Sequence, residues 1–386
     1  MVQHRLFEHR TSHDRTSRHV RRAVVPVVTA VVLASLGLSA AQADPGRAER
    51  GHLDDVRLAA QELRATRGQT VFNALVARAV ETNPAEVVDF AWDGARGSVV
   101  VTEGAVALTA RLAAAGVRVE TAAPGALAYG ERSDAEFAAI QQLQDAGVAA
   151  VAARYDADTN AVQVTAFTDE VTATAARVDA ALAQPTVRSA GPAVVVAYAP
   201  AADVPQENST QGGEVYGGCT GGFMATRGGA YGITTSAHCT TKPASYDGDA
   251  TGSTYVASNN RDTRFTALSG DTAENKFRVD ASTLRTITAQ GIVTTGSLLF
   301  KYGKTTGYGS STVESYAGCV TFSSGNVWCN LYYTAAKVTQ GGDSGGPWFV
   351  GNTGYGFTTG SNSGGTYVTP IAWVGSISGS VTIKKS

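Results

Sequence analysis

Two short segments carry the residues of this chain that could take part in acyl transfer. Ser344 stands in Gly342-Asp343-Ser344-Gly345-Gly346-Pro347, whose glycines allow a tight turn that gathers backbone N–H groups near the hydroxyl. His238 stands in Thr234-Thr235-Ser236-Ala237-His238-Cys239. A serine hydroxyl becomes a good nucleophile only when a base accepts its proton, and imidazole does so near neutral pH. The residue types therefore predict a Ser–His pair, with the N–H groups of Gly342 and Ser344 as oxyanion donors.

Both segments also allow an interpretation without chemistry. The glycines around Ser344 could form an ordinary hairpin turn, and a lone histidine is more often a surface or core residue than a base. However, Asp-Ser-Gly-Gly-Pro in this order is much rarer than a generic Gly-Ser turn. His238 is also the only histidine in residues 53–386, so no other imidazole could serve Ser344 there. We therefore expect Ser344 to be a nucleophile and His238 to be its base.

The order of these motifs, histidine first and serine second, resembles that of the chymotrypsin-like (S1 family) serine peptidases. The likeness is closer to an actinobacterial group, the streptogrisins and α-lytic protease. Residues 301–307 (Lys-Tyr-Gly-Lys-Thr-Thr-Gly) resemble the Gly-x-Thr-Thr-Gly element of that group, and residues 355–360 and 365–367 resemble its pocket-wall strands. The resemblance covers residues 213–386. It implies a mainly β catalytic domain, a double antiparallel β-barrel of six strands each, with the active site in the cleft between the barrels.

A buried carboxylate must orient the imidazole of such a pair and stabilise the imidazolium. The acidic candidates between the two motifs are Asp247, Asp249, Asp262, Asp271, Glu274, Asp280 and Glu314. Asp280 opens a run that resembles the family's Asp and the strand after it. The interval from Asp280 to Gly303, however, is short for a strand and a crossover between barrels. Asp262 lies further ahead of Gly303 and opens an alternating run over residues 263–268. We predict Asp262 as the third catalytic residue and keep Asp280 as the alternative.

Four cysteines can pair in three ways, and export would allow them to do so. We expect Cys219 to pair with Cys239 and so to pin the loop that carries His238. Cys319 and Cys329 would then clip a hairpin in the second barrel. Each disulfide would contribute about 2–4 kcal/mol to stability.

The resemblance also implies a substrate pocket. Its floor lies six residues before the nucleophile, at Val338, and its walls are Thr359, Gly360 and Gly365. Valine offers no countercharge for lysine or arginine, and small walls admit a medium or large apolar side chain. Glutamate selectivity in this group depends on a further pocket histidine, and residues 53–386 contain none besides His238. We therefore expect cleavage after aromatic residues or leucine.

The elements that must position these residues are short strands. From residue 213 onward the chain carries 30 of the 43 glycines and all four cysteines. Runs of β-branched and aromatic residues, such as residues 232–236, 298–302, 327–333 and 355–358, alternate there with Gly, Ser and Asn turns. Many short strands with glycine-rich turns indicate an antiparallel sandwich or barrel. Seven lysines and five arginines against nine acidic residues give this part a net charge of +3.

Residues 44–212 differ in kind, and we interpret them as an α+β pro region whose boundary falls within residues 206–216. They hold 13 arginines, no lysine and 22 acidic residues, a net charge of −9. Apolar residues at helical spacing, such as Phe137, Ile140 and Leu143, alternate with strand-like runs. Residues 152–164 resemble a stretch of α-lytic-type pro regions, which catalyse the folding of their own enzymes and inhibit them tightly. A spacer or a separate surface domain is the alternative.

Residues 1–43 have the features of a secretory signal peptide that is cleaved after Ala43. Six arginines and four histidines in residues 1–22 precede an apolar run from Ala23 to Leu38 and the small-x-small site Ala41-Gln42-Ala43. The run is shorter than the ~20 residues that span a bilayer. We therefore predict export to the outside of the cell, with no membrane contact after cleavage.

Together these features predict a secreted serine endopeptidase, made as an autoprocessed zymogen, with its peptidase domain at residues 213–386. We expect a monomer that acts on polypeptides and has its own pro region as inhibitor or folding aid. The net charge of −2 gives no reason to expect a nucleic-acid partner. Within residues 213–386, one histidine and four paired cysteines leave no ligand cluster, so we expect no cofactor and no metal. The alternatives are an inactive barrel that binds ligands and an esterase with the same triad.

Overall fold

The computed structural model of this chain describes residues 57–183, 192–204, 206–207, 215–269, 274–280 and 283–385. The expected signal peptide at residues 1–43 lies outside these residues, and so do residues 208–214 of the expected domain boundary. None of the helices in the described ranges is long and apolar enough to cross a membrane.

The segment up to residue 199 alternates helices and strands, as its apolar spacing predicts. A helical stretch at residues 57–65 comes first. The further helices are α1 (Arg67–Thr82), α2 (Val106–Ala114), α3 (Arg132–Asp145) and α4 (Val171–Leu182), and the strands are β1 (Val87–Trp92), β2 (Gly97–Val101), β3 (Arg118–Thr121), β4 (Val151–Asp156), β5 (Ala161–Phe167) and β6 (Ala193–Ala199). Phe72, Val76 and Ala79 recur at helical spacing on α1 and form one core with β1 and β2.

From residue 206 onward the chain is built from short strands. They are β7 (Gln206–Glu207), β8 (Val215–Tyr216), β9 (Cys219–Thr220), β10 (Met224–Arg227), β11 (Ala230–Thr235), β12 (Ser245–Tyr246), β13 (Asp249–Val256), β14 (Arg264–Leu268), β15 (Lys276–Arg278), β16 (Leu284–Thr286), β17 (Ala289–Gln290), β18 (Leu298–Gly303), β19 (Gly307–Thr321), β20 (Val327–Thr334), β21 (Pro347–Val350), β22 (Thr353–Ser361), β23 (Thr366–Pro370) and β24 (Thr382–Ile383). Single 3-10 turns cover Ala201–Asp203 and Ile371–Ser376.

Most of these strands belong to two antiparallel units. The first is a six-stranded sheet in the order β12-β13-β14-β11-β10-β24. The second closes on itself, because β18, β21, β22, β23, β20 and β19 pair in this order and β19 pairs back with β18. Aromatic residues from both units, among them Phe223, Phe265, Phe277, Trp348 and Phe357, fill one shared core. The mainly β class is therefore confirmed, and the second unit is the six-stranded barrel that the resemblance implies.

Residues 44–212, which we call the acidic segment, are joined to the second barrel by strand pairing. Ala153 of β4 pairs with Cys319 of β19, so the sheet continues from the barrel through β4 and β5 to β6. The disulfide partners Cys319 and Cys329 consequently lie in one core with α3, β4 and β5. Their pairing is the one that the sequence analysis expects.

A second junction lies where β1 meets the loop before β18. The backbone N–H of Trp92 donates to the carbonyl of Thr295 at 2.7 Å. Gly296 has a φ of +84°, and a Cβ at that position would lie 1.5 Å from the carbonyl oxygen of Trp92. Only glycine allows the two backbones to approach so closely.

Candidate active site

The loop after β11 carries His238 to the place where the two strand units meet. The disulfide between Cys219 and Cys239 ties this loop to β9, as the sequence analysis expects. Ser236 ties it to the other unit, because its hydroxyl donates to the carbonyl of Thr358 in β22 at 2.8 Å. His238 is therefore held from both sides.

Three side chains form a hydrogen-bonded relay at this junction. Asp262 lies just before β14, which pairs with β11, so the carboxylate lies beside the loop of His238. His238 donates its backbone N–H to Asp262 Oδ1 at 3.0 Å, and its Nδ1 lies 2.9 Å from Asp262 Oδ2. Its Nε2 lies 2.9 Å from Ser344 Oγ. A carboxylate only accepts, so it holds a proton on Nδ1 and leaves Nε2 able to accept the serine proton.

The relay is shielded from solvent. Asp262 and Ser344 are each 0% exposed, and the side chain of His238 is 4% exposed. Low access to water strengthens the electrostatic contacts within the relay.

Asp280, the alternative acid, lies elsewhere. It follows β15, and its carboxylate accepts a hydrogen bond from the backbone N–H of Thr283 at 2.7 Å, in the turn toward β16. The strands β16 and β17 then take up part of the short interval between Asp280 and Gly303. The structure therefore brings Asp262 to the imidazole and leaves Asp280 in a turn.

The turn that carries Ser344 fixes the direction of two N–H groups. The carbonyl of Gly341 accepts from the hydroxyl of Thr305 at 2.7 Å, and the carbonyl of Asp343 accepts from the N–H of Gly346 at 2.9 Å. In a planar trans peptide the next N–H points away from the carbonyl. Holding these two carbonyls therefore sets the direction of the N–H groups of Gly342 and Ser344, the residues expected as oxyanion donors.

No known family model matches the sequence, but three named relatives do. Glutamyl endopeptidase 2 of Streptomyces griseus is 29% identical over 162 residues, which are 39% of this chain and 84% of that protein. Streptogrisin-D of the same organism is 27% identical over 165 residues, 40% of this chain and 42% of its own length. Serine protease 1 of Streptomyces fradiae is 26% identical over 357 residues, 89% of this chain and 92% of that protein. This chain is a serine-type endopeptidase that is similar to the chymotrypsin-like serine peptidases.

Two solved structures are also similar to the peptidase. A Nocardiopsis protease is 22% identical, with a TM-score of 0.39, and covers 47% of this chain and 99% of its own. Protease A of Thermobifida fusca is 25% identical, with a TM-score of 0.37, and covers 47% of this chain and 100% of its own.

The predicted pocket residues of the peptidase fall into two groups. Val338 is half-buried and lines a cavity of about 350 Å³ together with Thr306, Tyr308, Gly309, Lys337, Thr339 and Gln340. Thr359 and Gly360 belong to β22, and Gly365 directly precedes β23. This second group borders the turn of Ser344, because the N–H of Gly345 donates to the carbonyl of Thr358 at 2.8 Å. The cavity is lined by Val338 and not by the other three predicted residues.

A short strand from the end of the acidic segment lies along the second group. Glu207 of β7 pairs with Gly360, and Gln206 pairs with Ser361, in antiparallel direction. An extended chain that adds itself to a strand edge is a common mode of peptide binding. The edge of β22 can therefore hold a peptide backbone beside the nucleophile.

The sequence analysis missed the supports of the nucleophile turn. Asp343 accepts hydrogen bonds from the backbone N–H groups of Thr305 and Thr306 at 2.8 and 3.2 Å, and Lys301 lies buried beside it. The Thr-Thr pair in residues 301–307 could have revealed these supports, because strand periodicity does not explain two adjacent threonines in a glycine-rich loop.

A buried polar cluster in the acidic segment was also missed. Glu136 and Arg132 of α3 are buried against Tyr316 of β19, whose hydroxyl donates to Glu136 Oε2 at 3.1 Å. Glu136 lies one turn before Ile140 on the buried face of the helix. A charged residue at a core position of a helix was the signal that could have revealed it.

The relay histidine also belongs to the one group of side chains, in the described ranges, whose atoms are close enough to hold a metal ion. Cys219, His238 and Cys239 offer ligand atoms within 4.8 Å of one another. The disulfide occupies both sulfur atoms, so this group has no thiolate to offer.

Proposed function

We propose that Ser344, His238 and Asp262 are the catalytic triad of this peptidase. Ser344 Oγ attacks the carbonyl carbon of the scissile bond, and its proton passes to Nε2 of His238. The N–H groups of Gly342 and Ser344 stabilise the negative oxygen of the tetrahedral intermediate. The intermediate then collapses, and His238 gives the proton to the leaving amine. Water, activated by the same imidazole, hydrolyses the acyl-enzyme on Ser344.

The hydrogen-bonded relay from Ser344 through His238 to Asp262 is the observation that carries this proposal. Both contacts of the imidazole are 2.9 Å long, and they join side chains that lie 24 and 106 residues apart in the sequence. A general base must lie within hydrogen-bond reach of the proton that it abstracts, and His238 does so without rearrangement.

The pocket supports cleavage after apolar residues. Val338, Thr359, Gly360 and Gly365 carry no charge, and the cation that lines the cavity beside Val338, Lys337, is exposed. One relative is named as a glutamyl endopeptidase, so an acidic preference is the specificity to test against. We expect peptides with Phe or Leu before the cleaved bond to be turned over with a higher kcat/KM than matched peptides with Glu or Lys. A preference for Glu would contradict the apolar assignment and leave the triad untouched.

We further propose that residues 1–43 direct export and that residues 44–212 are a pro region that blocks the enzyme until cleavage within residues 206–216. Support comes from the pairing of Glu207 with Gly360, which occupies the edge of β22 that a substrate backbone would need. Further support comes from Glu62, whose buried carboxylate contacts Arg285 at 2.8 Å in the expected peptidase domain, residues 213–386, which we call the catalytic part. The released enzyme would act outside the cell on polypeptides, as a monomer.

The intact mass of the secreted protein, before and after a fluorophosphonate probe, tests the triad and the processing together. We expect a species of about half the precursor mass that carries one probe on Ser344, because an activated serine reacts with such probes. The variant Ser344→Ala should carry no probe and remain as full-length precursor. Ser311→Ala, at another buried serine of the same domain, is the matched control and should be processed and labelled. Efficient processing of Ser344→Ala would overturn the proposal.

A further inference from the structure

Glu62 fills a small site whose three donors belong to the catalytic part. It lies in the helical stretch at residues 57–65 and is 1% exposed. Its Oε2 accepts hydrogen bonds from Arg285 Nη1 at 2.8 Å and from the backbone N–H of Gly351 at 2.9 Å. Its Oε1 accepts the hydroxyl of Tyr308 at 3.0 Å. One cation and two neutral donors around two oxygens are the complement of a carboxylate.

Contacts within the catalytic part hold these donors in place. Arg285 also donates to the carbonyl of Gly351 at 3.1 Å, which ties β16 to the loop after β21. Asn352 supports the same junction, because its side chain donates to the carbonyl of Thr286 at 2.7 Å. The ring of Tyr308 stacks on that of a phenylalanine in β18, with the ring centroids 5.9 Å apart. Because none of these contacts involves the acidic segment, we expect the site to persist when that segment leaves.

The site is separate from the catalytic relay. Gly351 directly follows β21, whereas Ser344 lies ahead of it, so the two residues are at opposite ends of this strand. Gly351 also precedes the first residue of β22, whereas Glu207 pairs with Gly360 near the other end of that strand. A peptide backbone that lies on β22 beside the nucleophile therefore leaves this site open to a different part of a polypeptide.

Charge and shape both favour an acidic, helical ligand. The catalytic part has a net charge of +3 and the acidic segment one of −9. Leu63, which follows Glu62 in the helical stretch, lies against Gly351, where a Cβ would be 3.1 Å from Leu63 Cδ2. The glycine therefore makes room for an apolar side chain next to the bound carboxylate.

We propose that Arg285, Tyr308 and the N–H of Gly351 form an exosite of the processed enzyme, which binds the carboxylate of a glutamate on a helical polypeptide. Glu62 is its ligand in the precursor. This inference rests on the proposed release of the acidic segment, which empties the site. A polypeptide with a glutamate beside an apolar residue on a helix can then be held there while another part of it lies at Ser344.

A binding measurement on the processed enzyme, with Ser344 blocked by the fluorophosphonate probe, tests the exosite. The ligand is a synthetic peptide of residues 57–82, which spans the helical stretch and α1. We expect it to bind about ten-fold more tightly than the same peptide with Glu62→Gln, because a charge-assisted hydrogen bond is stronger than a neutral one. Arg285→Gln should abolish this preference, whereas Arg227→Gln, at a half-buried arginine of β10, should keep it. Equal affinity of the wild-type enzyme for the two peptides, or no binding, would overturn the inference.

A second measurement uses the full-length chain and needs no processing. In a Ser344→Ala background, Glu62→Ala should lower Tm, because it removes a carboxylate partner from the buried Arg285. Propionate, a small carboxylate, should restore part of the loss by entering the vacated space, and the neutral propionamide should not. Glu103→Ala, at an exposed turn, is the matched control and should respond to neither compound. An equal effect of propionate on the two variants would contradict a carboxylate site.

The outcomes separate the exosite from the proposed catalytic function. A Ser344 that takes no probe overturns the triad, while rescue of Glu62→Ala by propionate still supports the carboxylate site. A labelled Ser344 with equal binding of the two peptides overturns only the exosite. Rescue without peptide binding would make the pair of Glu62 and Arg285 an internal contact of the precursor, and it too would overturn the exosite.

Discussion

The two carboxylate oxygens of Asp262 hold different atoms of His238, one the backbone N–H and the other Nδ1. The first contact places the loop, and the second sets the tautomer of the ring. An amide in place of the carboxylate could keep the first contact, but its NH₂ group would favour the tautomer that carries the proton on Nε2. That tautomer has no lone pair for the proton of Ser344.

We therefore expect Asp262→Asn to fold and to lower kcat about 10⁴-fold. Asp280→Asn is the control, and it should keep near-wild-type kcat because Asp280 serves a turn at Thr283. Steady-state kinetics on one peptide substrate would check both variants. If Asp280→Asn loses as much activity as Asp262→Asn, the assignment of the third triad residue is wrong.

For individual site residues, the sequence was most informative where the residue type was rare. His238 is the only histidine in residues 53–386, so the candidate base could be predicted without a structure. Asp262 had to be chosen among seven acids by its spacing from Gly303, and β16 and β17 do occupy the interval after Asp280. Lys301 could not be singled out among seven lysines, since burial depends on β19 and on the turn at Asp343, far away in the sequence.

Among the elements, the contact between β4 and β19 depends on a glycine. Gly318 has a φ of +68°, and a Cβ there would lie 2.2 Å from the carbonyl oxygen of Ala153 and 3.0 Å from Cδ of Glu136. Gly325 lies between β19 and β20 with a φ of +84° and nothing within 4 Å of its would-be Cβ. Substitution of either glycine would strain the backbone, because both have a positive φ. Only Gly318 faces the acidic segment.

We expect Gly318→Ala to weaken the hold of the acidic segment on the catalytic part by about 1–3 kcal/mol more than Gly325→Ala does, because overpacking adds to the strain. The dissociation constant of the processed segment from the catalytic part would measure the difference. Equal weakening by the two variants would show that the contact at Ala153 contributes nothing.

Periodicity predicted two elements that neighbour β4 but not the contact of β4 with β19. Phe137, Ile140 and Leu143 mark α3, and a strand-like run at residues 162–165 marks β5. The partner of β4 is β19, which lies far along the chain in the catalytic part, and no local pattern in either strand names the other. Pairing between strands that are distant in sequence depends on the packing of the whole fold. Composition therefore distinguished the two segments but did not predict the sheet that they share.

On the scale of the whole molecule, the buried cluster around Glu136 couples the acidic segment to pH. Burial raises the pKa of Glu136 from its ordinary value to about 7, against the opposing effects of Arg132, Arg154 and the hydrogen bonds from Tyr155 and Tyr316. We expect the carboxyl to regain solvent when Tyr316 leaves. The docked state therefore binds this proton more tightly than the separated state does, so docking is favoured at low pH and weakens as pH rises toward 7.

We expect the dissociation constant of the processed segment to rise by up to ten-fold for each pH unit between the ordinary carboxyl value and about 7. Glu136→Gln, which stays neutral, should flatten this dependence, whereas Glu103→Gln, at an exposed turn, should not. Binding measured across this pH range would decide, and an unchanged slope in Glu136→Gln would assign the dependence to another group.

Because β4 pairs with β19, removal of the acidic segment would leave one edge of β19 unpaired. Cys319 and Val320 would then present free backbone donors and acceptors on a hairpin that its disulfide keeps extended. An unpaired strand edge can pair with any other extended chain, including one from a second copy of the same enzyme. While it is in place, the acidic segment occupies this edge and so keeps other extended chains from pairing with it.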